Sequence, residues 1–144
     1  MKKTLLISLL ALSSFSLYAK ADFGKSALKV VPGGTVERVD RDEVTVKTAA
    51  GTIMEIEFNR DETLDEASGD MASKDTFVPG NGLLSLKDAV AALEKAGKKA
   101  EGEWSLDKDF MREWEYEFEG YENNQKYEYV INAKTGELLK SKRD

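Results

Sequence analysis

The stretch "REWEYEFEGY", from Arg112 to Tyr121, decides what kind of fold this chain adopts. Acidic and large aromatic residues alternate without interruption between Glu113 and Glu119. Because successive side chains of a β-strand point to opposite faces of a sheet, the alternation predicts a strand with an aromatic face and an acidic face. The aromatic face carries Trp114, Tyr116 and Phe118, and the acidic face carries Glu113, Glu115, Glu117 and Glu119.

Alternating segments on both sides of this stretch predict neighbouring antiparallel strands. A preceding strand is expected between Trp104 and Phe110, and a following strand places Tyr127, Tyr129 and Ile131 on one face. The turns between strands contain glycine, asparagine and charged residues, as hairpin turns do. The other predicted strands are "TVERVD" (35–40), "EVTVKT" (43–48), "IMEIEFN" (53–59) and "ELLKSK" (137–142).

One segment has the period of a helix. "SLKDAVAALEKAG" (85–97) offers Ser85 as an N-cap, Asp88 three residues later, and Gly97 as a stop. The narrow apolar face predicts a helix over Ser85–Ala96 that lies on the sheet. The residues of that face are Leu86, Ala89, Val90, Leu93 and Ala96.

These C-terminal motifs carry a resemblance to a known family. "LSLKDAVAALEKAG" (84–97), followed by strands and by "KYEYVINAKTGELLK" (126–140), resembles a PepSY domain. The resemblance implies a small exported module that is not an enzyme, with no catalytic residues to carry over. PepSY domains occur in the propeptides of thermolysin-type metallopeptidases and have been proposed to inhibit peptidases.

The N-terminal half looks like a degenerate second copy. Residues 53–70 and 126–144 both run from an alternating strand through asparagine and a polar turn to leucine, with Glu62 near the place of Gly136. Tandem copies resemble the architecture of the β-lactamase inhibitor protein. The predicted fold is therefore α+β, an antiparallel sheet with one main helix packed on it, built as two tandem PepSY-like halves.

The predicted organisation has four parts. Residues 1–21 are a signal peptide, 22–70 the degenerate β-rich half, 71–84 a linker, and 85–144 the PepSY-like domain. At most a stub of helix is expected in the first half, at 25–31. Each half is too small to bury a sufficient core alone, so the two should pack together or the chain should form a homodimer.

The signal peptide is predicted from the basic start, an apolar run from Leu5 to Leu17, and Ala19-Lys20-Ala21 as the cleavage motif. A periplasmic or secreted location follows, with no membrane span after cleavage before Asp22. Residues 1–21 contain three lysines and no acids, so the formal charge changes from −6 to −9. Such an acidic surface argues against nucleic acid as a partner.

The composition excludes much chemistry. The chain has no cysteine and no histidine, which removes disulfides, Ser-His and Cys-His catalysis, and the usual zinc sites. "NRDETLDEASGD" (59–70) has a loose calcium-loop spacing but lacks the required glycine and the final glutamate, so a hairpin turn is the better interpretation. No catalytic residue, cofactor or metal site is predicted.

Two candidate binding surfaces remain, each with a structural alternative. The acidic face could bind another protein, which could be a peptidase or could present a basic surface. Alternatively, the acidic face could be the solvated back of the sheet. The aromatic face could form an interface, or it could be core beneath the helix. A small-ligand or cation-binding envelope protein that uses the acidic face is the alternative function. The acidic candidates are Glu113, Glu115, Glu117, Glu119 and Glu128, and the aromatic ones are Trp104, Trp114, Tyr116, Tyr127 and Tyr129.

Overall fold

The computed structural model of the chain describes residues 22–144, so the predicted signal peptide at 1–21 lies outside the described residues. Helix α1 spans Phe23–Val30, helix α2 spans Leu86–Lys95, and a short 3₁₀ helix occupies Met71–Ser73. The predicted α+β class with a dominant antiparallel sheet is confirmed. The strands are β1 (Thr35–Asp40), β2 (Glu43–Lys47), β3 (Ile53–Phe58), β4 (Leu64–Asp70), β5 (Glu103–Lys108), β6 (Trp114–Glu122), β7 (Gln125–Asn132) and β8 (Leu138–Arg143).

The eight strands form one antiparallel sheet in which each strand pairs with its neighbours in sequence. Short hairpin connections favour this order, because they leave each strand beside the preceding one. The long connection between β4 and β5 contains α2, yet it returns the chain to the adjacent position, with Ser68 opposite Ser105. The two halves of the chain therefore share a continuous sheet.

The two helices cover the same face of the sheet, which we call the inner face. Their buried side chains form one hydrophobic core with alternate residues of the strands. Tyr116 and Phe118 of β6 are 0% and 1% exposed, which confirms that the aromatic side of this strand points inward. The Tyr116 hydroxyl donates to the Leu84 carbonyl at 2.7 Å, so its polar end is also satisfied inside the protein.

Both helices begin at a side chain that accepts a free amide of the first turn. In α2, Ser85 Oγ accepts the Asp88 N–H at 3.1 Å, which confirms the predicted cap. In α1, the Asp22 carboxylate accepts the Lys25 N–H at 3.0 Å. The expectation of only a stub at 25–31 is wrong, because the capped helix is eight residues long.

Three other sequence expectations are corrected. Phe110 is not in a strand but 94% exposed, because β5 ends at Lys108 and the chain then turns. The segment 71–84 does more than link two halves, since Phe77 is buried with its ring centroid 5.0 Å from that of Trp104. Ala96 is the exposed C-cap of α2 and lies outside its apolar face.

Each half of the chain has a helix followed by four antiparallel strands, which is the order a tandem arrangement predicts. The corresponding hairpin turns also agree. Glu62, in the β3–β4 turn, has φ of 67°, and Gly136, in the β7–β8 turn, has φ of 78°. Both turns lie against the helix of their own half, at Ser26 and at Ala92. These correspondences are those expected of two copies of one unit, and the duplication itself stays a prediction.

We expect Phe118→Ala to lower the free energy of unfolding by about 3–5 kcal/mol, because it leaves a cavity in the core. Glu117→Gln, one residue away on the opposite face, should change it by less than about 0.5 kcal/mol. Urea denaturation of the two variants measures both values. Comparable losses would mean that the faces of β6 are assigned incorrectly.

The two matched turns should respond differently to substitution. Gly136→Glu should destabilise the protein, because a side chain in the left-handed region costs about 1–2 kcal/mol and its Cβ would lie 2.8 Å from Ala92 Cβ. Glu62→Gly relieves similar strain, but it removes an oxygen that accepts the Asp22 N–H at 2.9 Å and the Ser26 hydroxyl at 3.0 Å. We expect a net loss of about 1 kcal/mol there.

Denaturant midpoints test the comparison, with Glu62→Gln as the control that keeps a side chain able to accept both hydrogen bonds. A neutral Gly136→Glu would contradict the inferred equivalence of the two turns.

Candidate functional site

The candidate site is the outer face of the sheet, the face opposite the two helices. Its most unusual feature is a row of carboxylates that crosses the strands. Asp40 lies opposite Glu43, Glu43 opposite Glu57, and Glu57 opposite Glu66. The row continues on β5 and β6, where Asp107 lies opposite Glu115. Since neighbouring strands are about 4.8 Å apart, the row places a carboxylate on each of six successive strands.

Most of the predicted acidic candidates lie on this face. Glu117 is opposite Ser105 and Val130, and Glu119 is opposite Glu128. Glu113 is exposed in the turn that precedes β6, and its N–H donates to Asp109 at 2.8 Å. Glu113 therefore lies at the margin of the face.

Basic residues lie beside the glutamates on two strands, β7 and β8. Lys126 pairs with Glu119, at 2.5 Å, and this hydrogen bond lowers the pKa of that carboxyl. Strand β8 adds two more bases, since Lys140 contacts Glu128 at 3.0 Å and Lys142 lies opposite the same residue. The basic side chains thus border the acidic residues along the β7–β8 side.

Sequence reasoning missed the contribution of the first half of the chain. Glu55 and Glu57 on β3, and Glu66 on β4, extend the acidic surface well beyond β6. The alternation of "IMEIEF" contained this signal. It becomes a continuous surface only through the β4–β5 pairing, a long-range contact that periodicity does not reveal.

The outer face has three adjoining hollows, with volumes of about 340, 230 and 210 Å³. Ser68 lines all three of them, and Ser105, opposite it, lines one. Glu55 and Glu117 stand at the sides of these hollows. Small hydroxyl side chains therefore form a low floor between longer acidic ones.

Two carboxyls of the face have raised pKa values. Burial raises the pKa of Glu66 to about 7, and repulsion from Asp107 and a carboxyl hydrogen bond with Glu57 act in the same direction. Burial also raises the pKa of Glu115, with further repulsion from Asp109. In this part of the carboxylate row, burial and neighbouring charges therefore disfavour the ionised form of the carboxyl groups.

The predicted aromatic candidates lie on the inner face. Trp104, Tyr116 and Tyr129 are buried in the core, while Trp114 and Tyr127 are half-buried at its edge. This placement agrees with the structural alternative, in which the aromatic residues stabilise the fold. They do not form an open groove, because they pack in the hydrophobic core with α2 and with Phe77 of the 71–84 segment.

Within residues 22–144, no three acidic side chains converge closely enough to hold a metal ion. In the same range, no helix combines the length and the apolar character that crossing a membrane requires.

The C-terminal part of the chain matches a family model. Residues 83–142 match the model described as "Peptidase propeptide and YPEB domain". They form a PepSY domain. A comparison with curated proteins finds no match to the chain.

Three solved structures are similar to the chain at low identity. A protein of Clostridium difficile 630, provisionally described as a lipoprotein, has 16% sequence identity to this chain and a TM-score of 0.43. The matched region covers 88% of this chain and 90% of that protein. A DUF2874 family protein of Bacteroides uniformis ATCC 8492 is 17% identical with a TM-score of 0.38, covering 85% and 88%. A protein of Bacteroides eggerthii DSM 20697, provisionally described as periplasmic, is 16% identical with a TM-score of 0.37, covering 85% and 87%.

The PepSY domain supplies only half of the outer face. Its strands, β5 to β8, carry Glu117 and Glu128 together with the bordering lysines. Strands β1 to β4, which precede the domain, carry Glu55, Glu57 and Glu66. The full carboxylate row therefore requires both halves of the chain.

We expect Glu66→Gln to stabilise the protein at pH 8 but not at pH 4. A carboxyl whose pKa is raised to about 7 keeps its proton in the folded state over a range in which the unfolded chain has lost it. Stability contributed by Glu66 therefore falls as pH rises from about 4.3 to 7. After allowance for solvent screening, the gain at pH 8 should be on the order of 0.5–1 kcal/mol.

Urea midpoints at the two pH values measure this difference. Glu94→Gln, which changes an exposed glutamate of α2, should show no comparable dependence. A Glu66→Gln variant that is less stable than the wild type at pH 8 would contradict the assignment.

Proposed function

We propose that this chain is an exported, non-enzymatic binding module whose partner is another protein. The observation that carries the proposal is the outer face of the sheet. It extends over eight strands and includes three hollows, whereas two helices and a continuous core cover the inner face. A further hollow of about 560 Å³ lies at the edge of that core, between α1, the β3–β4 turn and residues 78–81. A broad surface left open beside a complete core is a feature that binding proteins use.

The PepSY domain supports this proposal and suggests a narrower one. Its family is described by the peptidase propeptides in which the domain occurs. A propeptide makes contact with an enzyme without catalysing a reaction itself. We propose a peptidase as the first class of partner to examine, with inhibition as the role.

Export is proposed from the sequence features of residues 1–21. The mature chain would then begin at Asp22, the residue that caps α1. Folding without disulfides agrees with the absence of cysteine, since the core supplies the stability.

The proposed function predicts that the chain captures a protein from periplasmic extract. The bait is residues 22–144 on a resin, and bound proteins are identified by mass spectrometry and then purified. The purified partner should form a complex with the chain, and if it is a peptidase its activity should fall as the complex forms. A boiled extract and a resin that carries an unrelated acidic protein of similar size are the controls.

Failure to recover any partner that also binds in purified form would contradict the proposal. A partner that is bound without any loss of its activity would leave the binding role and remove the inhibitory one.

A further inference from the structure

The distribution of charge on the outer face specifies what it can bind. Strands β3 to β6 carry nine carboxylates there and no base. The one basic residue in these strands, Lys108, points its ammonium to the other side, over the Trp114 ring and 3.6 Å from Asp65. The nine carboxylates are those of Glu55, Glu57, Glu66, Asp70, Glu103, Asp107, Glu115, Glu117 and Glu119.

Some of these carboxylates are already satisfied by the protein. Glu119 binds Lys126 and accepts the Glu103 N–H, and Asp70 accepts the Ala72 N–H at 2.7 Å. Others lack a basic partner within the described residues, where no lysine or arginine nitrogen lies within 4 Å of them. That group consists of Glu55, Glu57, Glu66, Asp107, Glu115 and Glu117.

The spacing of the carboxylates favours several separate cations over a single ion. Opposite residues such as Glu57 and Glu66 are one strand apart, and the row continues at intervals of about 4.8 Å. A bound calcium ion requires several oxygen ligands around one point. Within residues 22–144, no three acidic side chains come together in this way. Lysine and arginine side chains on one polypeptide segment supply separate cations that can follow such a row.

The floor of the face suits a polypeptide as the occupant. Ser68 and Ser105 lie opposite each other at the centre, and the Ser105 hydroxyl donates to Glu117 at 3.3 Å. Both hydroxyl oxygens can still accept a hydrogen bond from a peptide N–H or a guanidinium. The exposed Ile53, which lines the largest of the three hollows, adds an apolar contact at one side. A partner segment can therefore approach the sheet closely and still reach carboxylates on both sides.

We propose that the outer face binds a lysine- or arginine-rich segment of the partner protein, which lies across β3 to β6 with Ser68 and Ser105 beneath it. This inference rests on the proposed function, since it identifies the chemistry of the partner at the same face. The bordering bases Arg38, Lys47, Lys140 and Lys142 limit the cationic segment to the central strands, because they repel it at the edges.

The test compares two triple variants of equal net charge. The face variant is Glu55→Gln, Glu66→Gln and Glu117→Gln, which neutralises three carboxylates around the serine floor. The control variant is Asp75→Asn, Glu94→Gln and Glu137→Gln, which neutralises three exposed acids away from the face. Circular dichroism melts establish that both variants are folded.

The probe is a labelled 15-residue peptide in which lysine alternates with serine, and fluorescence anisotropy measures its Kd at 50 mM and 200 mM salt. The wild type should bind it, and the face variant should bind about tenfold more weakly, which corresponds to about 1.4 kcal/mol. The control variant should stay within about twofold of the wild type, and binding should weaken at the higher salt concentration. Amide shifts in NMR spectra should change around Ser68 and Ser105.

Several results would overturn the inference. Equal weakening by both triple variants would show attraction to net charge alone, and a wild type that does not bind the peptide would show no such site. Calcium chloride that causes the same amide shifts without peptide would identify a small cation as the occupant. A concentration-dependent dimer in sedimentation that the face variant abolishes would identify a second copy of the chain.

The failure of this inference is distinguishable from failure of the proposed function. If a partner is captured and binds the face variant as tightly as the wild type, the chain is a binding module that uses another surface. If the wild type captures no partner, both proposals fail.

Discussion

The two-residue period of β6 is the constraint on which the rest of the structure depends. It sends Tyr116 and Phe118 to one side of the sheet and Glu115 and Glu117 to the other. The neighbouring strands follow the same period, so the apolar side chains collect on the inner face. Two helices and Phe77 complete that core, and a chain without disulfides can rely on it.

The same period places like charges directly opposite one another. Such pairs destabilise a sheet. At Glu66, burial raises the pKa most, and repulsion from Asp107 and Glu57 adds to it. Alternating glutamates with lysines would serve solubility equally well and would avoid the repulsion. A charge arrangement that lowers stability without any structural gain is characteristic of functional surfaces, where stability is given up for binding. The basic partner proposed above would offset this repulsion.

The sequence predicted the local features of the fold and missed those that depend on distant contacts. The alternation in β6 and the Ser85 cap both follow from short-range patterns, and the structure confirms them. Helix α1 was underestimated, because its stabilisation comes from Asp22 at its start and from contacts with β1 and β2. Phe77 could not be placed, since its segment has no periodicity and its partner, Trp104, is 27 positions away.

For the candidate site, the sequence identified one strand of an acidic surface that crosses six strands.

Carboxyl footprinting would test the central claim most directly. Carbodiimide labels exposed carboxyl groups, and mass spectrometry compares the labelling of each residue in the free chain and in its complex with the captured partner. We expect Glu55, Glu66 and Glu117 to be labelled in the free protein and protected in the complex, while Glu94 and Glu137 are labelled equally in both. Protection confined to the helix side, with the outer face unchanged, would contradict the account.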